Sequence, residues 1–181
     1  MTVSAKKLQE SVLVVRCQAG DETAFRQLVE SYSPRLRYFL RKLAPDADRI
    51  EDLLQDVWLD AFRALPRLIE VAAFPAWIYR IARSHVAAEY RRRGLESKLM
   101  EQLTVGQMPQ ETPIPEFSPE DAQRIHHALD NLPTMHREVL VLRFLEDLSY
   151  DDMAAVLGCP VGTVRSRIYY AKLALRQFLE S

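Results

Sequence analysis

Residues 149–178 read SYDDMAAVLGCPVGTVRSRIYYAKLALRQF, and the fold turns on this stretch. Ser149 precedes a short apolar run and can cap it, with Asp152 three residues on as an imperfect capping box. Gly158 ends the run, and Pro160 stands at the start of a second helix that reaches Phe178. Two helices joined by so short a turn predict a helix-turn-helix. On a wheel of about 100° per residue, Val164, Ile168, Ala171, Leu175 and Phe178 share one stripe, the expected core face. Arg165, Ser166, Tyr169, Lys172 and Arg176 fall opposite it. From Cys159 to Leu179 the basic residues are Arg165, Arg167, Lys172 and Arg176, with no acid among them. A solvated face would mix both signs, so this one-sided run favours nucleic acid. Entering a major groove by its N-terminus, the helix would bring Arg165 to a guanine edge and Ser166 to a base or phosphate. Lys172 and Arg176 would neutralise phosphates.

Upstream, Pro133 opens a helix expected to run through Val139, Leu140 and Phe144 to Leu145. Another is expected to start at Ser118–Asp121 and to end near Leu132. Residues 99–119 carry Pro109, Pro113, Pro115 and Pro119 with little helical periodicity, which predicts an extended linker. Its charge is acidic: between Leu99 and Gln123 stand Glu101, Glu111, Glu116, Glu120 and Asp121, without a base. The expected organisation is all-α. Residues 1–98 form one helical domain, 99–119 a flexible acidic linker, and 120–181 the helix-turn-helix domain.

The N-terminal domain reads as four helices. The first, Leu8 to Ala19, carries Leu8, Val12, Val15 and Cys17 before Gly20. Asp21 is placed to cap the second, which runs to Pro45 with Pro34 inside it. Asp48 is expected to cap the third, Ile50 to Leu65, and Pro66 to end it. The third buries Leu54, Val57, Trp58, Ala61 and Leu65 and turns Glu51, Asp52, Gln55, Asp56, Asp60 and Arg63 outward around Leu59. A fourth runs from Phe74 to Arg93, with Pro75 in its first turn and Gly94 as terminator. Its expected core stripe is Phe74, Ile78, Ile81, His85 and Ala88. A second stripe holds Arg80, Ser84, Ala87 and Arg91, with Arg83 at its edge and Trp77 and Tyr90 flanking. Cations beside aromatic rings suit single-stranded DNA, since charge follows the backbone and unstacked bases find rings.

Composition excludes several classes. The chain has 181 residues and a net charge of −1, so binding to nucleic acid rests on local islands and not on overall charge. No apolar stretch is long enough for a membrane span, no cleavable leader is evident, and two distant cysteines, Cys17 and Cys159, fit a reducing cytoplasm. There is no phosphate loop, HExxH, CxxC or Gly-x-Ser-x-Gly, so neither an enzyme nor a cofactor is expected. His126-His127 has no third ligand nearby in sequence, so no metal is expected either.

The segments DRIEDLLQDVWLDAFRAL (48–65), FPAWIYRIARSHVAAEYRRR (74–93) and LPTMHREVLVLRFLEDLSYDDMAAVLGCPVGTVRSRIYYAKLALR (132–176) together resemble the extracytoplasmic-function sigma factors of bacterial RNA polymerase. The likeness spans both domains in the family's order. It implies that Asp52, Leu53, Gln55, Asp56 and Leu59 lie at the contact with the β′ clamp helices, and that the β subunit is a further contact. It implies that the loop Pro66–Ala73 and the helix after it, with Trp77, Arg80, Arg83, Ser84, Tyr90 and Arg91, melt and capture the minus-ten element. It also implies that Gly162, Thr163, Arg165, Ser166 and Tyr169 meet minus-thirty-five DNA. Core polymerase, promoter DNA and an anti-sigma inhibitor are the implied partners. Two departures stand out: Tyr170 occupies a position where the family often has Arg or His, and PRLIEVAA lacks the Gly and Ser often found before the FxAW motif. A competing reading is a helix-turn-helix repressor or activator that acts apart from polymerase. It accounts for residues 120–181 and leaves the acidic and the arginine-aromatic helices unexplained.

Overall fold

The structure, a computed structural model, describes residues 3–95 and 122–180. The expected linker 99–119 and the helix start at Ser118–Asp121 lie outside the described residues. The protein is all-α, and it divides into two compact units, Met1–Glu89 and Tyr90–Ser181.

The first unit holds α1 (Val3–Gln18), α2 (Glu22–Leu43), α3 (Ile50–Ala64) and most of α4 (Phe74–Arg92). Asp21 caps α2 as expected, its carboxylate accepting the Thr23 and Ala24 N–H groups. Helix α2 runs unbroken past Pro34 and buries Ala24, Leu28, Tyr32, Leu36, Phe39, Leu40 and Leu43. This i, i+4, i+8 recurrence is the spacing one helical face demands. Aromatic edges lock neighbouring helices to it. Tyr32 meets Phe74 with ring centroids 5.3 Å apart, and Phe39 meets Tyr79 at 5.1 Å, both edge-to-face. From α3, the Trp58 indole N–H donates to Ser33 Oγ at 3.0 Å, which satisfies the one polar atom of a buried ring.

Two expectations for this unit are corrected. Asp48 does not cap α3. Asp46 caps a 3-10 turn, Ala47–Arg49, by accepting the Asp48 N–H, and that turn runs directly into α3 with no side-chain cap. Along α1, Leu8, Val12 and Val15 are exposed and Val14 is fully buried. Helix α1 packs on α2 and on the segment after α3, and those neighbours, rather than apolar periodicity, choose its face. In α4 the buried stripe is Phe74, Ile78, Tyr79, Ala82, Val86 and Tyr90, whereas Ile81 and His85 are half-buried and Ala88 is exposed. Large aromatic rings set the inward face, and it lies roughly a quarter turn from the expected one.

The second unit holds α5 (Ala122–Asp130), α6 (Thr134–Leu140), α7 (Tyr150–Leu157) and α8 (Val161–Glu180). The helix opened by Pro133 does not stay α-helical to Leu145. It widens into a π turn over Val141–Leu145, where the Glu146 N–H reaches back to the Val141 carbonyl. Residues Glu138 to Leu142 are all buried, a run that no single α-helical face accommodates. Ser149 caps α7, accepting the Asp152 N–H at 3.1 Å and donating its hydroxyl to the Asp152 carboxylate at 2.7 Å. Gly158 ends α7 at φ +65°, a conformation that disfavours any side chain. Helix α8 packs against α5, α6 and α7.

Candidate nucleic-acid and partner interface

Helix α3 places its acids as the wheel requires. Asp52, Gln55, Asp56 and Leu59 are exposed, and Leu59 leaves 44% of its surface uncovered. Leu53 is the exception: at 3% exposure it belongs to the core, because it sits beside Leu54 and Val57 on the inward stripe. Phe62, which the sequence reading missed, is 59% exposed three residues beyond Leu59. Its ring meets Phe25 of α2 edge-to-face at 5.2 Å, and the two wall a shallow groove of about 330 Å³ with Glu22, Arg26 and Val29. The carboxylates of α3 are not equivalent. Glu51 is held by both arms of Arg37 at 2.6 and 3.0 Å, which lowers its pKa from the ordinary carboxylate value. Asp52 pairs with Arg49, and Asp60 meets His85 Nε2 at 2.9 Å. Asp56 has no ion-pair partner among the described residues. An unneutralised carboxylate beside Leu59 and Phe62 is the chemistry of a partner-docking strip, with charge for orientation and apolar area for affinity.

On α4, Arg80, Ser84 and Arg91 are exposed, and Arg83 and Trp77 are half-buried. Ser84 Oγ donates to the Ile81 carbonyl at 2.8 Å. Trp77 leans on Phe74 with centroids 5.8 Å apart, which leaves part of its ring open. Tyr90, expected to flank the basic stripe as a stacking ring, is 9% exposed and turned inward with the displaced core face. Ahead of α4, Ile69 is 98% exposed at the tip of the Pro66–Ala73 loop.

Helix α8 carries Arg165, Arg176 and Gly162 exposed, with Thr163 and Tyr169 half-buried. Ser166 is corrected: it is 7% exposed and its hydroxyl donates to the Thr163 carbonyl at 3.0 Å. Ser166, Arg167 and Ile168 are all buried, so this turn of α8 has no outward side at Ser166. At the far end the expected core residue Phe178 is 48% exposed. The Arg165 guanidinium lies 6.0 Å from the ring centroid of Tyr150, and Arg143 lies 5.6 Å from the same ring. One aromatic ring therefore steadies two cations from separate elements. Arg143 is further fixed by donating to the Leu148 carbonyl at 3.0 Å. Lys172 sits 4.9 Å over Phe144, and burial, then the charge of Arg143, lower its pKa from the ordinary lysine value. Arg143, Phe144 and Tyr150 were missed because they lie on the π turn and at the start of α7, where helical periodicity carries no signal. No group of residues suited to a metal ion occurs among the described residues, and no described helix is long and apolar enough to cross a membrane.

The model of Sigma-70 region 2 matches residues 28–96, and that of Sigma-70, region 4, matches residues 122–175. The chain is 34% identical over 181 residues to the ECF RNA polymerase sigma-E factor of Escherichia coli K12, covering 94% of each chain. It is 35% identical to the RNA polymerase sigma-H factor of Pseudomonas aeruginosa, covering 95% of this chain and 94% of that one. Among solved structures, it is similar to CnrH in complex with the cytosolic domain of CnrY (TM-score 0.67, 26% identity, 95% and 97% coverage). It is also similar to the sigma factor RpoE of Bartonella quintana in complex with the anti-sigma factor NepR (TM-score 0.66, 29% identity, 86% and 96% coverage).

Proposed function

The chain belongs to the extracytoplasmic-function sigma factors, the family of alternative sigma factors for RNA polymerase, and from that premise we propose how its surfaces divide the work. Asp52, Gln55, Asp56, Leu59 and Phe62 dock on the β′ clamp helices of core polymerase, with Leu53 supporting them from beneath. Arg80, Arg83, Ser84 and Arg91 follow the non-template strand of the minus-ten element. Trp77 and the Pro66–Ala73 loop receive the bases that melting exposes, since an unstacked base gains from an aromatic or apolar face. The N-terminus of α8 enters the major groove at the minus-thirty-five element, with Arg165 on a base edge and Arg143, Lys172 and Arg176 on phosphates. The chain itself carries out no bond chemistry; it directs and opens promoters for the enzyme that does. When it is free of polymerase, an anti-sigma protein covers the same surfaces; the complex of RpoE with the anti-sigma factor NepR supports a partner of that kind.

The observation that supports this reading best is an apolar-acidic strip on α3, with Asp56 left unneutralised, in one chain with a cationic helix-turn-helix. A lone repressor has no use for the first. The test is capture of core polymerase by the tagged chain. The double variant Asp56→Arg with Leu59→Asp is expected to abolish capture while promoter-independent DNA binding by the second unit stays intact. Unchanged capture would remove α3 from the interface.

A further inference from the structure

We propose that Gln18, the last residue of α1, is a positioning residue that sets base selection at the minus-ten element by bracing the Pro66–Ala73 loop; this rests on the assignment of that loop made above. The chain leaves α3 through a 3-10 turn, Leu65–Arg67, and re-enters helix through a second, Val71–Ala73. A helix end leaves carbonyls without intrahelical donors. Here the Leu68 N–H closes on the Leu65 carbonyl at 3.0 Å. Gln18 Nε2 then donates to that same Leu65 carbonyl at 3.1 Å and to the Leu68 carbonyl at 2.7 Å. Both hydrogens of one amide are used, on acceptors 47 and 50 residues away in the chain. Two carbonyl oxygens accept only from the nitrogen end, so the acceptors themselves settle the orientation of the amide.

The brace hangs from a fixed corner. Gly20 turns the chain at φ +88°, and the Asp21 N–H returns to the Arg16 carbonyl at 3.0 Å. The Arg16 guanidinium reaches Asp21 Oδ2 at 2.9 and 2.6 Å while that carboxylate caps α2. Helix α1 also packs along both 3-10 turns that bound the loop. Between them Glu70 accepts the Ala72 N–H at 3.3 Å, and Ile69 projects into solvent. Gln18 touches no DNA in this account. Its effect is to hold the backbone from which Ile69 and the start of α4 meet an extruded base, and selection among bases depends on such placement.

The test uses the full chain bound to core polymerase. Transcription is run on a promoter pool randomised across the minus-ten element, and the transcribed templates are sequenced. Gln18→Glu sets a carboxylate against two carbonyls; Gln18→Met keeps the length and removes both donors without adding charge. In each, discrimination between the preferred sequence and its single-base variants is expected to fall about tenfold, the effect of a loop backbone no longer held in its placed geometry. Core affinity and the thermal midpoint, measured alongside, are expected to hold. Discrimination that survives in both variants overturns the brace, and so does a loss that merely tracks weaker core binding or a melted fraction. A wild-type chain that shows no preference at all removes the loop assignment together with the brace.

Discussion

Arg165 and Asp147 show how single residues carry consequences of opposite kinds. Arg165 stands exposed on α8, steadied by Tyr150, with its planar fork free for a guanine edge. Replacing it by Ala is expected to cost about 1–3 kcal/mol and to relax specificity at one base pair, read by binding to a set of minus-thirty-five point variants. Lys172→Ala, by contrast, should weaken all sequences about equally and lower the salt slope by about one unit. Asp147 lies at φ +52° between the π turn and α7, where a side chain is strained and Asp tolerates the strain better than most. Its bond with Arg143 is long, at 3.4 Å, and exposed. Asp147→Gly is therefore expected to match or exceed wild-type stability, and Asp147→Val to lose about 1–2 kcal/mol, both from denaturant melts. Equal stability of the two variants would show that the backbone there relaxes freely.

Elements add what residues cannot supply alone. Helix α7 is short, and its stability comes from burying Met153, Val156 and Leu157 between its Ser149 cap and the Gly158 turn. Met153 is fully buried, so Met153→Ala should cost about 2–5 kcal/mol and weaken DNA binding by the second unit in step. Helix α6 carries a pH dependence. His136 is half-buried, its Nδ1 has no hydrogen-bond partner among the described residues, and burial, then the charge of Arg167, lower its pKa below the usual 6.5. The unfolded chain therefore takes up the proton first. The contribution of His136 to stability is complete above about pH 6.5 and is lost as pH falls from there through the folded value. Thermal melts from about pH 7 to pH 5 should show a steeper decline for wild type than for His136→Gln, and parallel curves would contradict the assignment. Element boundaries and caps such as Asp21, Ser149 and Gly158 were legible in the sequence because each is a local hydrogen-bonding or backbone requirement. The face of α4 was not. Its apolar residues spread around the helix, and tertiary neighbours chose which of them to bury. The π turn was invisible for the same reason: a run of buried residues has no period to detect.

At the scale of the molecule, charge segregation proved more telling than total charge. A net charge of −1 conceals a carboxylate face on α3, an arginine stripe on α4 and a basic run along α8. The sequence reading found all three surfaces, because exposed charge on a regular helix follows simple geometry. It set Ser166 and Tyr90 among the outward residues, where the structure buries them. It passed over Phe62, Arg143 and Tyr150, which gain meaning only when separate elements meet. The division of labour between these surfaces is tested most directly by initiation itself. Core RNA polymerase freed of other sigma factors is supplied with the purified chain on fragments of its host genome, and the 5′ ends of the transcripts are mapped. Starts that share two upstream elements, and that vanish with Asp56→Arg plus Leu59→Asp, are the predicted result; absence of any chain-dependent start, or starts indifferent to that double variant, would contradict it.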